Sequence, residues 1–171
     1  FAQGLYLDGY ANVPSIVNTQ SKFGSTSFEP GGTTNYGFCA MPFCLPRSAS
    51  FTLEGWAYTG STANQVFVAA QNDTKLGFDL LSVGGTLKAF FSSDGTSWNI
   101  NGTSMGAIST DQWQHFVVVR DGNTWAFGMD GTMTNYNISN SMTIFDYGNP
   151  SVNTGDEVAI QIGGIEGTTS I

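Results

Sequence analysis

The glutamates of this 171-residue chain are the first candidates for chemistry. Glycosidases hold the sugar bond between two carboxyl groups, about 5 to 9.5 Å apart. Glu29, Glu54, Glu157 and Glu166 are isolated from one another in the sequence. Glu54 stands in an aromatic run, so we interpret it as a solvated or hydrogen-bonded structural acid. The sequence therefore predicts a protein that is not an enzyme.

The single histidine, His115, is the candidate base for nucleophilic catalysis. Such a base needs a serine or cysteine nucleophile in a sharp turn, and no serine or cysteine has that setting here. We therefore predict structural roles along this segment. His115 and Trp113 are expected in the core, and Arg120 is expected at the sheet edge, paired with a loop carboxylate. Trp56 is also predicted to be structural.

Calcium is the one cofactor that the aspartates suggest. Asp73, Asp79 and Asp94 could supply oxygen ligands from neighbouring loops, together with backbone carbonyls. Their spacing matches no compact calcium-loop motif. Cys39 and Cys44 cannot close a zinc site alone, and their spacing leaves open whether they are bridged or free thiols.

The segment 92–98 resembles the Asp-box turn of sialidases, but it is one residue short and occurs once. A plain hairpin turn at Asp94-Gly95 is the other interpretation. If Trp98 is exposed, its ring could stack on a sugar while Asn99 or Asn101 bonds the hydroxyl groups. Asp94, Trp98, Asn99 and Asn101 are therefore the predicted ligand-binding residues, and burial of Trp98 would exclude this site.

Composition narrows the classes of partner. Thirteen acidic residues against five basic ones give a net charge of −8, which repels nucleic acid and anionic membranes. No apolar run approaches the length of about 18 residues that membrane insertion requires. The small fraction of charged residues, 11%, together with 22 glycines and 13 phenylalanines, favours packed strands and tight turns. We expect one all-β domain over residues 1–171.

The strands that must position these residues alternate with Gly, Asn and Asp turn signals. The run 112–120 has apolar residues on both faces, so we expect a central strand buried on both sides. A hairpin across 121–123 should join it to the strand of Trp125, Phe127 and Met129, whereas residues 135–147 are predicted to be a loop. The other predicted strands are 51–58, 65–70, 77–83, 86–92 and a run near 158–162.

Three segments, 21–28, 51–58 and 113–122, resemble the laminin G-like jelly-roll family of phage and bacterial tail, capsid and surface proteins. The resemblance implies a concanavalin A-like sandwich of two antiparallel sheets, with loops that in relatives hold carbohydrate, protein or calcium. The laminarinase-like branch clusters its acids as Glu-x-Asp-x-x-Glu, which is missing here. Glu29-Pro30-Gly31 also replaces the Asp-Gly turn of similar sequences, which argues against calcium at that position.

The family normally adds a strand after the Ile162-Gly163-Gly164 region, so we expect a further segment or a partner to complete the sheet. Our leading hypothesis is a non-catalytic virion surface component, either a capsid decoration or a tail-fibre module, that forms oligomers and contacts virion proteins or host glycans. The alternative is a secreted or cell-surface adhesion domain that binds carbohydrate with calcium. A glycoside hydrolase is the third hypothesis. The expected location is accordingly the virion surface or the extracellular space.

Overall fold

The computed structural model describes residues 6–8, 15–30, 36–39, 48–71, 75–145 and 160–163, with the backbone alone for 6–8 and 36–39. Within these ranges the chain forms strands and turns, and it contains no helix that could span a membrane. The strands are β1 (Tyr6–Asp8), β2 (Ser15–Val17), β3 (Ser27–Glu29), β4 (Tyr36–Cys39), β5 (Phe51–Tyr58), β6 (Gln65–Gln71), β7 (Leu76–Val83), β8 (Thr86–Phe91), β9 (Ile100–Ala107), β10 (Trp113–Asp121), β11 (Thr124–Met129), β12 (Thr132–Ser139) and β13 (Ile160–Ile162).

The strands form two packed antiparallel sheets and a separate hairpin. The larger sheet has the order β1-β4-β13-β6-β7-β8-β9, and the smaller sheet has the order β12-β11-β10-β5. Strands β2 and β3 pair with each other. The predicted all-β sandwich of antiparallel sheets is confirmed.

The inward rows of the two sheets meet in one hydrophobic core. Phe91 of the larger sheet lies against Trp125 of the smaller one, with ring centroids 4.9 Å apart. Trp125 also stacks near Phe127 at 6.1 Å. Burial of such a side chain contributes roughly 1.5–3 kcal/mol. The aromatic pairs therefore fix how the sheets sit on each other.

Strand β10 is central, as predicted, because it pairs with β11 on one side and with β5 on the other. The predicted hairpin across 121–123 is also present, since Asp121 pairs with Thr124. The expectation that both faces of β10 are buried is wrong. Phe116 and Val118 face the core. The residues on the opposite face of β10, which are Trp113, His115, Val117 and Val119, are only partly buried. In a two-layer sandwich one face of each sheet points outwards.

Polar side chains close one side of the sandwich, between β12 and β9. The Thr134 hydroxyl donates to the Met105 carbonyl oxygen at 2.6 Å, and the Asn135 amide donates to the Ser104 carbonyl oxygen at 2.6 Å. Residues 132–139 are thus a strand, which corrects the loop predicted from residue 135. Only residues 140–145 of that prediction are irregular in the described part of the chain.

Candidate binding surfaces

Asp94 organises the turn between β8 and β9. Its Oδ1 accepts hydrogen bonds from the backbone N–H groups of Thr96 and Ser97, both at 2.8 Å. Its Oδ2 accepts from the Ser97 hydroxyl at 2.7 Å. The Ser97 hydroxyl, followed by these backbone donors, holds the pKa of Asp94 well below its usual range. The carboxylate therefore stabilises its own turn.

Trp98 lies beside this turn and is only partly buried, so burial does not exclude the predicted sugar platform. Its ring packs against Phe90, with centroids 5.6 Å apart. Asn101 is the partner of Phe90 in the β8–β9 register. The Asn99 side-chain oxygen accepts from the Ser93 N–H at 2.8 Å, which leaves its amide N–H groups for other partners. The structure thus places the predicted residues around one turn, and ligand binding there stays a prediction.

Asp79 is not in a loop, which corrects the predicted calcium arrangement. It lies in the middle of β7, paired with Ala69 and Phe90, and is only 1% exposed. Its Oδ1 has no hydrogen-bond partner among the described residues. Burial raises the pKa of Asp79 to about 8. Burial thus favours the uncharged form of this carboxyl.

In the described residues no group of three His, Cys, Asp or Glu side chains could hold a metal ion. Asp73 lies outside those residues, as does Cys44, so the calcium prediction and the bridging of Cys39 and Cys44 stay open.

A group of aromatic side chains covers part of the outer face of the smaller sheet. Trp56 lies opposite His115 in the β5–β10 register, and Tyr58 lies opposite Trp113. The ring centroids are 5.1 Å apart in the first pair and 5.7 Å apart in the second. We call this surface the aromatic face, and it consists of Lys22, Phe23, Trp56, Tyr58, Trp113 and His115.

The segment between β2 and β3 supplies the rest of the aromatic face. The Phe23 ring meets Trp56 edge-on, with centroids 6.0 Å apart. The Lys22 ammonium lies 3.8 Å from the Trp56 ring centroid, within the range of a cation–π contact. Phe23 is 69% exposed and Trp56 is 39% exposed. Large rings at this exposure leave a surface on which a sugar or a partner protein could pack.

His115 is on this surface and not in the core, so its predicted core location is wrong. Its Nε2 lies 3.3 Å from Glu54 Oε2, and both side chains reach solvent. Glu54 is thus exposed to solvent, in agreement with its interpretation as a solvated acid. The sequence did not predict Trp56 and His115 to be surface residues. Trp56 lies two residues from Glu54 and therefore on the same face of β5. The charge of Glu54 was the signal that this face points to solvent.

Arg120 is buried inside the sandwich instead of lying at the sheet edge, where it was predicted. Its guanidinium is 4.9 Å from the Trp125 ring centroid. It donates to the Gly122 carbonyl oxygen at 2.9 Å and to the Met142 carbonyl oxygen at 2.6 Å. Burial lowers the pKa of Arg120 from its usual value. Its structural role is to hold residues 140–145 over one end of the core.

Residues 31–163 match a laminin G-like family model that is described as the concanavalin A-like lectin/glucanases superfamily. The chain belongs to this superfamily. Its sandwich of two antiparallel sheets agrees with that membership. A search of curated proteins found no match. Laminin G-like domains bind carbohydrate or protein and are generally non-catalytic, although the superfamily includes some glycosidases.

Proposed function

We propose that this chain is a non-catalytic recognition domain on the outer surface of a phage virion, as a capsid decoration or a tail-fibre module. We propose further that it binds host glycans through the aromatic face. The observation that carries the proposal is the exposure of Phe23 and Trp56 beside Lys22. The virion location rests on the resemblance of three sequence motifs to laminin G-like domains of phage tail and capsid proteins.

The chemistry of the aromatic face suits a sugar. The C–H face of a pyranose ring packs on an aromatic ring, and the hydroxyl groups at its rim need polar partners. Lys22 lies against the Trp56 ring, and the His115–Glu54 pair borders the same ring. Because Lys22 already lies over the Trp56 ring, the more exposed Phe23 ring beside it is the freer stacking surface, with two donors and one carboxylate nearby. This combination of stacking and hydrogen bonding favours a glycan over a purely apolar ligand.

Glycan-array binding of the intact chain, with and without calcium, tests the glycan proposal. Trp56→Ala should weaken binding to the best glycan by about tenfold or more, which is about 1.4 kcal/mol. Trp98→Ala is the matched control, because Trp98 is a partly buried tryptophan in the turn between β8 and β9, away from the aromatic face. Both variants should unfold at temperatures close to that of the parent chain, since neither side chain belongs to the buried core.

Three outcomes contradict parts of this proposal. Binding that disappears in Trp98→Ala and persists in Trp56→Ala moves the site to the Asp94 turn. Binding that requires calcium supports the adhesion-domain alternative. Mass spectrometry and cryo-electron microscopy of source-purified virions test the location, and failure to find the chain on the particle overturns the virion proposal.

A further inference from the structure

Within the part of the chain that the structure describes, strand β5 has one paired edge and one open edge. The Asp130 N–H donates to the His115 carbonyl oxygen, so the backbone groups of His115 point towards β11. Successive residues of an antiparallel strand point to alternate sides. Residues 114, 116, 118 and 120 of β10 therefore point towards β5, where residues 51, 53, 55 and 57 bond back to them. The N–H and C=O groups of residues 52, 54, 56 and 58 face the open edge.

These outward groups have no backbone partner within the described residues, where β5 pairs with β10 alone. Strand β5 also lacks the sequence features that usually protect an exposed strand edge. It is eight residues long, keeps a regular register with β10, and contains no proline, lysine or bulge. Folded proteins normally blunt or cover such an edge because it invites pairing with another strand.

The opposite edge of the same sheet is different. Strand β12 has two register shifts against β11, and Asn137 adopts a left-handed φ of 56°. Its side chains Thr134 and Asn135 are bonded to β9, as described above. Strand β12 is thus irregular and bonded to β9, whereas β5 keeps a regular register and has no second neighbouring strand among the described residues.

The side chains of β5 indicate what kind of strand would fit. Phe51, Leu53 and Ala57 point inwards and are only partly buried, although they pack against the core. A neighbouring strand with apolar residues on its inner side would complete their burial. On the outer side Glu54 is the only charged residue of β5, and it would favour a lysine or arginine across from it.

We propose that the open edge of β5 binds an extended segment of a partner protein, about seven residues long, by adding it as a further strand of the smaller sheet. The segment alternates apolar and polar residues and carries a basic residue near Glu54. A second copy of this chain fits less well, because each copy has a net charge of −8 and a two-fold pairing brings the two Glu54 side chains towards each other. This inference does not depend on glycan binding at the aromatic face.

A synthetic peptide tests the proposal directly. The probe is acetyl-Lys-Val-Thr-Val-Lys-Val-Thr-amide with a fluorescent label, and its anisotropy is measured as the intact chain is added. A peptide of the same composition with its three valines adjacent is the control. The alternating peptide should bind at least tenfold more tightly. Equal binding of the two peptides overturns the strand-addition model.

The variant Thr52→Pro blocks the edge without touching the β10 ladder. The Thr52 N–H faces the open side, and a proline is tolerated at such a position because it removes no ladder bond. We expect Thr52→Pro to weaken peptide binding at least tenfold, Thr52→Ala to retain it, and both to keep any glycan binding. Glu54→Lys, which does not depend on tolerance of proline, should also weaken binding of this basic peptide. Unchanged binding in both Thr52→Pro and Glu54→Lys overturns the proposal.

Hydrogen exchange distinguishes the source of the strand. In the isolated chain the amides of residues 52, 54, 56 and 58 should exchange rapidly, and in the source-purified assembly they should be protected. Protection in the isolated monomer means that the same chain covers the edge, which overturns a partner strand. Protection that appears only with dimerisation, measured by analytical ultracentrifugation, assigns the edge to a second copy and equally overturns it.

Discussion

The buried carboxyl of Asp79 should make the stability of this protein fall as pH rises through the neutral range. The pKa of Asp79, whose cross-strand partners are Ala69 and Phe90, is raised from 3.8 to about 8 by burial. In the unfolded chain the same group ionises near its ordinary value. Between these two values the folded protein binds about one more proton than the unfolded chain. The stabilising contribution is therefore fully present below about pH 4 and is lost as pH rises towards about 8.

The expected loss of unfolding free energy follows from the width of this pH window. Each pH unit in which the proton difference is about one changes the free energy of unfolding by about 1.4 kcal/mol. Between about pH 5 and about pH 7 the unfolded aspartate is ionised and folded Asp79 is protonated. Relative to Asp79→Asn, which carries no titrating proton, the parent chain should lose on the order of 3 kcal/mol over this interval.

Urea unfolding at about pH 5 and about pH 7, followed by tryptophan fluorescence, measures this difference. Asp111→Asn is the matched control, because Asp111 is an exposed turn residue and asparagine tolerates its φ of 60°. The Asp111→Asn variant should follow the parent chain, and Asp79→Asn should diverge from it. If Asp79→Asn and the parent chain lose stability in parallel, Asp79 is ionised in the folded state and the argument from burial is wrong.

Two further predictions concern the end of the sandwich near the β8–β9 turn. Arg120→Met should lower the free energy of unfolding in urea by about 2–4 kcal/mol, because the Met142 carbonyl loses its donor and Trp125 loses its cation. A loss no larger than that of a Lys22→Met control, at an exposed lysine, would contradict this. Asp94→Ala should change the fluorescence of Trp98 at neutral pH, since the turn loses its acceptor oxygens. In the parent chain the same fluorescence change should appear only in acid, as pH falls below about 4 towards the lowered pKa of Asp94. A fluorescence spectrum that Asp94→Ala leaves unchanged would refute this role of Asp94.

Alternation of apolar and polar residues was sufficient to predict the hairpin of β10 and β11. Trp125 and Phe127 recur with period two, and Asp121 to Asn123 separate the two runs by turn residues. Each of these signals is local, so the hairpin could be predicted from one segment of the sequence. The central position of β10 was likewise predictable from its apolar content, whereas its pairing with β5 was not.

The errors arose where burial depends on a neighbour that is distant in sequence. Asp79 is an acid, and acids usually mark loops, but it is buried in a strand between Ala69 and Phe90 of the neighbouring strands' register. His115 has apolar neighbours in sequence, yet its face of β10 points outwards. Strand β12 is rich in Thr and Asn because it is an edge strand whose polar side chains bond to β9. None of these arrangements is visible within one segment.

The two proposed binding surfaces meet at β5, and their chemistry separates them. The Trp56 side chain belongs to the aromatic face, whereas its backbone N–H and C=O face the open edge. Trp56→Ala removes the ring and keeps both backbone groups, so it should affect glycan binding more than strand addition. Thr52→Pro removes one backbone donor and keeps every ring, so it should do the reverse. Loss of both activities in either variant would show that β5 supports a single site in which the glycan and the added strand compete.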